Sequence, residues 1–199
     1  MEVSLVLNGS IKRGAWFKRH IRGTVIAVDG GAHACKKFGI TPEYVVGDFD
    51  SISKTVLSAF KKTSTVIHLP NQNRTDFQKA LTLAKKLKAT HIRVFGAFGK
   101  DIDHEFANIL SLTPNCVMVD ERHEVSVVEK RIEVQGKKND VVSVIALTPV
   151  KGLSYAGLKW PVSGLSVPAG WTGVRNRLVK KTSVISLSRG RIAVIRVHS

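Results

Sequence analysis

The chain has 199 residues, of which 43% are hydrophobic and 23% are charged, proportions that are typical of a soluble globular protein. No apolar run approaches the length of a membrane span and the first residues lack a signal-peptide pattern, so we expect no membrane partner. The 31 Lys and Arg against 15 Asp and Glu give a net charge of +16, which indicates attraction to polyanions, phosphates or acidic surfaces without identifying which. The two cysteines, Cys35 and Cys116, have no metal-ligand spacing, so we expect reduced, buried thiols in a cytoplasmic protein.

The first two predicted strands lead to a candidate anion site. Residues 3–8 are typical of a buried strand, and residues 24–28 form a second strand that stops at Asp29, Gly30 and Gly31. Two glycines permit a tight turn and a close backbone approach to a ligand, and a helix is predicted after them. Such a strand–Gly-Gly–helix junction can bind an anion, and a plain turn is the alternative interpretation.

The third predicted strand, residues 44–46, stops at Gly47 and is followed by two carboxylates, Asp48 and Asp50. If the chain stays extended there, an i, i+2 pair points to one side, so that both carboxylates reach one cation. Mg²⁺ prefers one or two carboxylates together with phosphate oxygens, which suits a metal–nucleotide site. The alternative is an ordinary polar turn in which an Asp caps the following helix.

Two further helices begin with acidic residues. Residues 65–69 are predicted as a strand, and Thr75 with Asp76 opens a helix. Capping by Thr75 and the helix dipole at Asp76 explain both residues without any function. Residues 91–95 are the next predicted strand, and a glycine-containing loop connects it to a helix that begins at Asp103.

Strands and helices alternate as far as residue 120, which predicts an α/β domain with a mainly parallel sheet. The carboxyl ends of parallel strands lie on one side of the sheet. Acidic residues that follow strands should therefore converge there. The sequence predicts a metal-dependent phosphate site built from Asp29, Asp48, Asp50, Asp76 and Asp103.

After Asp120 the pattern changes to short β-rich runs separated by turns, with no helical stripe. This change predicts two domains, an α/β domain over residues 1–120 and an all-β sandwich over residues 121–199. Trp160 lies beside Pro161 in the second domain. A Trp in a β domain is more often a core residue than a ligand platform, so Trp160 alone predicts no binding site.

Together these segments resemble the thiamine pyrophosphokinase (thiamine diphosphokinase) family. The matching segments follow the family's order from residue 29 to residue 176. They are Val28-Asp29-Gly30-Gly31-Ala32, Gly47-Asp48-Phe49-Asp50-Ser51, Thr75-Asp76-Phe77 with Ala80-Leu81, Gly96-Ala97-Phe98-Gly99, Asp103-His104 with Asn108, Gly157-Leu158-Lys159-Trp160-Pro161, and Asn176. Each match is short, but their order and the α/β-then-β layout make the set specific.

The resemblance implies an enzyme that transfers a diphosphoryl group from ATP to the thiamine hydroxyl, giving thiamine diphosphate and AMP. It implies Mg²⁺ as cofactor, ATP as co-substrate, and a homodimer whose sites are shared between subunits. The nucleotide would bind to the α/β domain and thiamine to the β-sandwich. The implied catalytic residues are Asp48, Asp50, Asp76 and Asp103, of which the first three would ligate the metal. The implied ATP-binding residues are Asp29, Gly30, Gly31, Asn73, Thr75, Lys100 and His104, and those for thiamine are Trp160, Arg175 and Asn176.

Three positions depart from the family pattern. The family usually has Asp at the position of Asn73, Arg at that of Asp101 and Ser at that of Arg175. These changes cancel in net charge, so one interpretation is that charge has been relocated, with Lys100 and Arg74 adjoining the altered positions. The other interpretation is that the site has drifted to a different acceptor or has lost catalysis.

Two further functions stay open. The first is the same ATP chemistry on another hydroxymethyl heterocycle, such as a pterin. The second is a non-catalytic nucleotide- or nucleic-acid-binding protein on the same scaffold, which the charge of +16 would permit. The chain lacks the alternation of aromatic and basic residues that marks a base-stacking surface, so the sequence disfavours a nucleic-acid partner.

Overall fold

The computed structural model describes residues 1–198 of the chain, which form fourteen strands and five helices. The chain divides into two compact units. The first consists of Met1–Ser111 and Met118–Glu121, and the second of Leu112–Val117 and the chain from Arg122 onward. None of the helices within the described residues is both long and apolar enough to cross a membrane.

Strands and helices alternate in the first unit, as the sequence predicts. Its parallel strands have the spatial order β5-β1-β2-β3-β4 and comprise β1 (Glu2–Val6), β2 (Thr24–Val28), β3 (Tyr44–Gly47), β4 (Thr65–His68) and β5 (His91–Phe95). The helices are α1 (Gly14–His20), α2 (Gly31–Lys37), α3 (Lys54–Phe60), α4 (Asp76–Lys86) and α5 (Ile102–Ser111). Because the five strands are parallel, their carboxyl ends share one edge, and the loops that follow them meet there.

Helix α4 is positioned by its cap and by its buried face. Thr75 is the N-cap, as the sequence predicts, and it forms a capping box in which its side chain and that of Gln78 each accept a backbone hydrogen bond from the other residue. Phe77, Ala80 and Ala84 are buried at the i, i+3, i+7 spacing of one helix face. The cap and this face fix the first turn of α4, and with it Asp76, at the carboxyl edge of the strands.

Only strands follow α5 in the described chain. Strand β6 (Cys116–Val119) has residues in both units. The remaining strands pair antiparallel in two sets, ordered β12-β9-β14-β7 and β11-β10-β13-β8. They are β7 (His123–Val128), β8 (Arg131–Gln135), β9 (Val141–Ala146), β10 (Val150–Ala156), β11 (Val162–Val167), β12 (Thr172–Arg177), β13 (Thr182–Ser186) and β14 (Ile192–Val197). Strand pairing in the protein is therefore mixed, and the second four-stranded sheet is antiparallel.

Buried side chains from both antiparallel sets form one hydrophobic cluster. Val144 and Ile192 from the first set belong to it together with Leu153 and Ile185 from the second, and each is at most 1% exposed. Burial of these branched side chains from both sets gives the second unit a core of its own.

Candidate active site

A cleft of about 410 Å³ opens in the first unit, where the loops after the parallel strands meet. Loops after β1, β2, β3 and β5 and the first turn of α4 all contribute to it. Among its lining residues are Asn8, Asp29, Asp48, Asp50, Asp76 and Lys100. Four of the five carboxylates that the sequence places at strand exits are thus brought together, since the strands that precede them are parallel.

Asp29 is the most buried carboxylate of the cleft, with 5% of its surface exposed. It follows β2 with φ 44°, a left-handed conformation that non-glycine residues adopt at a cost. Its Oδ2 accepts a hydrogen bond of 3.2 Å from the Ser51 N–H, whereas its buried Oδ1 has no hydrogen-bond partner. Burial raises the pKa of Asp29, although the nearby Gly30 N–H and the hydrogen bond from Ser51 act in the opposite direction.

The two carboxylates after β3 meet through a turn and not through an extended chain. Phe49, between them, has φ 69°, so the extended i, i+2 geometry considered for the sequence does not occur. Instead the Asp50 N–H lies 3.4 Å from Asp48 Oδ1, which folds the chain back on itself. The carboxylates of Asp48 and Asp50 do lie close enough to reach one cation, but the left-handed backbone of Phe49 brings them together, not an extended chain.

Asp29, Asp48 and Asp50 fit a divalent cation. Each offers one carboxylate oxygen, and the three oxygens lie within 4.8 Å of one another. Three carboxylates are hard ligands of the kind that Mg²⁺ and Ca²⁺ take. The unpartnered Oδ1 of Asp29 adds an independent observation, because a buried oxygen without a donor is costly unless a ligand satisfies it. This set contains Asp29 where the sequence analysis placed Asp76.

Lys79 is a site residue that the sequence analysis missed. It lies on α4, is only 6% exposed, and its ammonium donates to Asp76 Oδ1 at 2.8 Å and to Asp48 Oδ2 at 3.3 Å. Burial alone would lower the pKa of Lys79, but the two carboxylates outweigh it and raise the pKa. The signal in the sequence was a lysine three residues after Asp76 on the same predicted helix, a spacing at which two side chains can meet.

The same contacts determine the protonation of Asp48. Burial on its own would raise the pKa of Asp48. Hydrogen bonds from the Asp50 N–H, the Lys79 ammonium and the Gln72 amide outweigh burial and lower the pKa. Asp48 is therefore ionised at neutral pH, as a metal ligand or an ion-pair partner must be.

Gly30 and Gly31 have a structural reason to be glycine. A Cβ on Gly31 would lie 1.9 Å from the Val6 carbonyl oxygen, and one on Gly30 would lie 2.4 Å from Asn8 Cγ. The two glycines therefore allow the start of α2 to approach the end of β1. Neither is among the residues found to line the cleft, and their predicted contact with ATP stays a prediction.

The loop before α4 contributes only part of its predicted residues to the cleft. Thr75 and Arg74 line it. Asn73 is exposed and is not among the lining residues, and its N–H donates to Asn71 Oδ1 at 2.7 Å. The first of the three departures from the family pattern thus lies beside the cleft wall, with a cation next to it.

The loop after β5 brings a cation and an anion to the rim. Lys100, Asp101 and His104 are exposed and line the cleft. Asp103 is exposed as well, but it is not among the lining residues, and its Oδ1 accepts a hydrogen bond of 2.8 Å from the His104 N–H. Of the predicted acids, Asp103 is thus the one that the fold does not bring into the cleft.

The three residues predicted for thiamine lie in the second unit. Trp160 is 54% exposed, so the interpretation of Trp160 as a core residue is wrong. Asn176 is buried, and it accepts from the Trp160 N–H at 3.1 Å and donates to the Trp160 carbonyl at 2.7 Å. Arg175 is exposed, with φ 58° at an irregularity of β12, and its N–H donates to Ser143 Oγ. Asn176 thus fixes the backbone that carries the Trp160 indole.

Comparison with known proteins gives consistent similarities. Residues 19–125 match the family described as thiamin pyrophosphokinase, catalytic domain. The chain is 25% identical to thiamine pyrophosphokinase of Bacillus subtilis over 183 residues, which cover 86% of each chain. A crystal structure of thiamine pyrophosphokinase from Bacillus subtilis superposes with a TM-score of 0.87 at 21% identity over the whole of both chains, which shows the fold. A stretch of 51 residues is 41% identical to 6-hydroxymethyl-7,8-dihydropterin pyrophosphokinase of Pyrococcus furiosus, covering 26% of this chain and 22% of the relative.

Proposed function

Because this chain belongs to the thiamin pyrophosphokinase family, as its motifs predict, we propose that it transfers a diphosphoryl group from ATP to thiamine. The products are thiamine diphosphate and AMP. The thiamine hydroxyl oxygen attacks the β-phosphorus of ATP, the bond from that phosphorus to the oxygen of AMP breaks, and the hydroxyl proton is released. The protein is therefore a transferase with two substrates, thiamine and ATP.

The observation that carries this function is the carboxylate-lined cleft in the first unit. Four of the acids that line it, Asp29, Asp48, Asp50 and Asp76, lie within the matched residues 19–125. Diphosphoryl transfer depends chiefly on positioning the substrates and on neutralising phosphate charge. A cleft that combines a cation site with exposed basic residues at its rim is what this chemistry requires.

We assign the Mg²⁺ site to Asp29, Asp48 and Asp50. Mg²⁺ bound there would neutralise the polyphosphate of ATP and polarise its phosphoryl oxygens. The unpartnered oxygen of Asp29 and the 4.8 Å limit on the three ligand atoms support this set. The sequence prediction of Asp76 as a metal ligand stays a prediction, and the ion pair of Asp76 with Lys79 favours Asp29 in its place.

The other cleft residues would position the substrates. Lys100 and Arg74, both exposed in the lining, would attract the phosphates of ATP. Thr75 and His104 are candidates for further nucleotide contacts on the same grounds. Asp76 would hold the Lys79 ammonium against Asp48. The predicted catalytic roles of Asp76 and Asp103 stay predictions, and Asp103 is not among the residues that line the cleft.

We place thiamine recognition in the second unit. The exposed indole of Trp160, fixed through Asn176, offers an aromatic face for a cationic heterocycle. Arg175 lies one residue before Asn176 on the same strand. As the resemblance implies, the complete site would form in a homodimer, and light scattering that found an active monomer would contradict this.

The same assignment extends to domain organisation and location. We propose a nucleotide-binding domain over residues 1–120, with a mainly parallel sheet, and a β-sandwich over residues 121–199. The single core shared by the two antiparallel sets supports the sandwich. Cys35 and Cys116 are both free and buried, which suits a reducing, cytoplasmic environment.

A second candidate acceptor is a hydroxymethyl pterin. The local similarity of 41% over 51 residues to a pterin pyrophosphokinase favours it, and the reaction would use the same diphosphoryl chemistry. Thiamine is preferred because the family match and the similarity to the Bacillus subtilis enzyme extend over much more of the chain.

Product identification separates these acceptors. The purified protein is incubated with ATP and Mg²⁺ together with thiamine or with a hydroxymethyl dihydropterin, and the products are identified by mass spectrometry. We expect AMP and thiamine diphosphate. If only the pterin is converted, the acceptor is a pterin and not thiamine. If neither compound is converted, the assignment as an enzyme is refuted.

A further inference from the structure

The carboxylate cluster of the cleft contains a buried cation of its own. The Lys79 ammonium is 2.8 Å from Asp76 Oδ1 and 3.3 Å from Asp48 Oδ2, and 5% of the lysine side chain is exposed. A buried ammonium is costly unless carboxylates are close to it, so the two acids stabilise the charged lysine and the lysine in turn fixes the positions of the acids. No function predicted from the sequence used it.

Asp48 divides the cluster into two faces. The Asp29 face consists of Asp29, Asp50 and Asp48, whose ligand atoms lie within 4.8 Å of one another. The Lys79 face consists of Lys79, Asp76 and Asp48, joined by the two ion pairs. Only the Asp29 face carries a buried oxygen known to lack a partner, Asp29 Oδ1.

On the Lys79 face, the ammonium already lies within 3.3 Å of both carboxylates. The ammonium contacts one oxygen of each carboxylate, Asp48 Oδ2 and Asp76 Oδ1, so a divalent ion between them would compete for these oxygens or bind the other two close to the ammonium. It would also have to displace a buried ammonium into a position without carboxylates, or lie beside it as a like charge. Both alternatives are unfavourable in a partly desolvated site.

We propose that Lys79 is a positioning residue that occupies the second cation position of the cluster, so that the protein itself binds one divalent cation, at the Asp29 face. This inference rests on the Mg²⁺ site of the proposed function. It adds that Lys79 holds Asp48 in the orientation that the metal requires, as hydrogen-bonded partners of metal ligands do elsewhere. It also excludes Asp76 from the ligands of the bound ion.

The test measures how many ions the protein binds. Mn²⁺ replaces Mg²⁺ as the probe, and electron paramagnetic resonance reports free Mn²⁺ during titration of the full chain without ATP or thiamine. We expect one Mn²⁺ per chain for the native protein and two for Lys79→Met, whose unbranched side chain is one atom shorter and uncharged. Lys79→Arg keeps the charge and should bind one.

A second pair of variants tests the inference even if Lys79→Met does not fold. Asp76→Asn should keep Mn²⁺ affinity within about tenfold of the native value, whereas Asp50→Asn should weaken it by about a hundredfold or more, a range typical of altered metal sites. Equal losses in these two variants would make Asp76 a ligand and overturn the inference. Two ions or none on the native protein, or one on folded Lys79→Met, would overturn it as well.

Failure of this inference is distinct from failure of the proposed function. A protein that binds one Mn²⁺ but forms no thiamine diphosphate contradicts only the assigned reaction. A protein that forms thiamine diphosphate but binds two Mn²⁺ without nucleotide contradicts only the role of Lys79.

Discussion

On the Lys79 face of the carboxylate cluster, a buried ammonium satisfies Asp48 and Asp76 at 3.3 and 2.8 Å. On the Asp29 face, Asp29 has one buried carboxylate oxygen without a partner, and its backbone φ is 44°. Both faces follow parallel strands of one sheet and share Asp48. They differ in that the protein completes one of them itself and leaves the other incomplete.

This difference separates a stabilising role from a binding role. Ion pairs with little exposure are stable only when each charge has its partner, and the Lys79 face meets that condition. Backbone strain and unsatisfied buried groups persist at sites that bind ligands, because the ligand supplies the missing interactions. The comparison therefore supports the proposed metal binding at the Asp29 face and a structural role for the Lys79 face.

The largest expected effect is on turnover when the Asp29 face loses a ligand. We expect Asp50→Asn to lower thiamine diphosphate formation by about 10³-fold, because loss of one electrostatic contact at a reacting centre costs about that much. The fold should survive, since Asp50 is exposed. The rate of product formation and the circular dichroism spectrum check both statements.

The control for this variant is Glu2→Gln, which removes an exposed carboxylate at the amino end of β1. Its turnover should equal that of the native protein. A folded Asp50→Asn variant with near-native turnover would remove the Asp29 face from the mechanism.

The next effect is on stability when the Lys79 face loses its cation. We expect Lys79→Met to lower the free energy of unfolding by about 3 kcal/mol, because Asp48 and Asp76 are left facing each other without a cation. The side chains concerned are 5%, 12% and 23% exposed, so solvent screens them only in part. Urea unfolding measures the loss, and Lys85→Met, at an exposed position of the same helix, is the control.

A double variant sharpens this prediction. Adding Asp76→Asn to Lys79→Met should recover part of the stability, because it removes one of the two unbalanced carboxylates. A loss below about 1 kcal/mol for Lys79→Met would show that the pair behaves like surface ion pairs.

Because Lys79 is paired with Asp48 and Asp76, we expect other basic residues, at the rim of the cleft, to contact the phosphates of ATP. We expect Lys100→Ala to lower turnover by about 10²-fold, as loss of a positioned electrostatic contact does, while Asp101→Ala leaves turnover unchanged or raises it. Steady-state rates of the two variants test the relocation of charge around Asp101. If Lys100→Ala has the same turnover as the native protein, charge has not been relocated to Lys100, and Lys100 and Asp101 are a solvated pair.

The smallest expected effect is a gain in stability at Asp29. We expect Asp29→Asn to raise the free energy of unfolding of the metal-free protein by about 1 kcal/mol, because it removes a buried charge with an unpartnered oxygen. Asn also tolerates the left-handed backbone better than most residues do. Urea unfolding without metal measures the gain.

The pH dependence of this gain has a definite sign. The pKa of Asp29 is raised in the folded protein, so the native protein loses stability as pH rises from the ordinary Asp value of 3.8 through the raised pKa. The advantage of Asp29→Asn should be full at neutral pH and shrink as pH falls toward 3.8. A constant difference across this range would show that the Asp29 carboxylate carries no burial penalty.

Local sequence signals determined much of the first unit. The runs of apolar residues gave the parallel strands, the capping residue Thr75 gave the start of α4, and acids after strands gave the edge at which the cleft lies. Such features depend on neighbours within a few residues of the chain, and for that reason the sequence alone predicts them. The family motifs were recognisable on the same basis.

Tertiary structure alone decided how the acids divide into two faces. Lys79 pairs with Asp48, which is 31 residues away in the chain, and Asp29 accepts a hydrogen bond from the Ser51 N–H, 22 residues away. No local pattern encodes contacts over such separations. The left-handed Phe49 turns Asp48 and Asp50 together in a way that alternation did not predict. Packing of α4 and β3 set these partners, because burial makes each charge depend on whatever the fold places beside it.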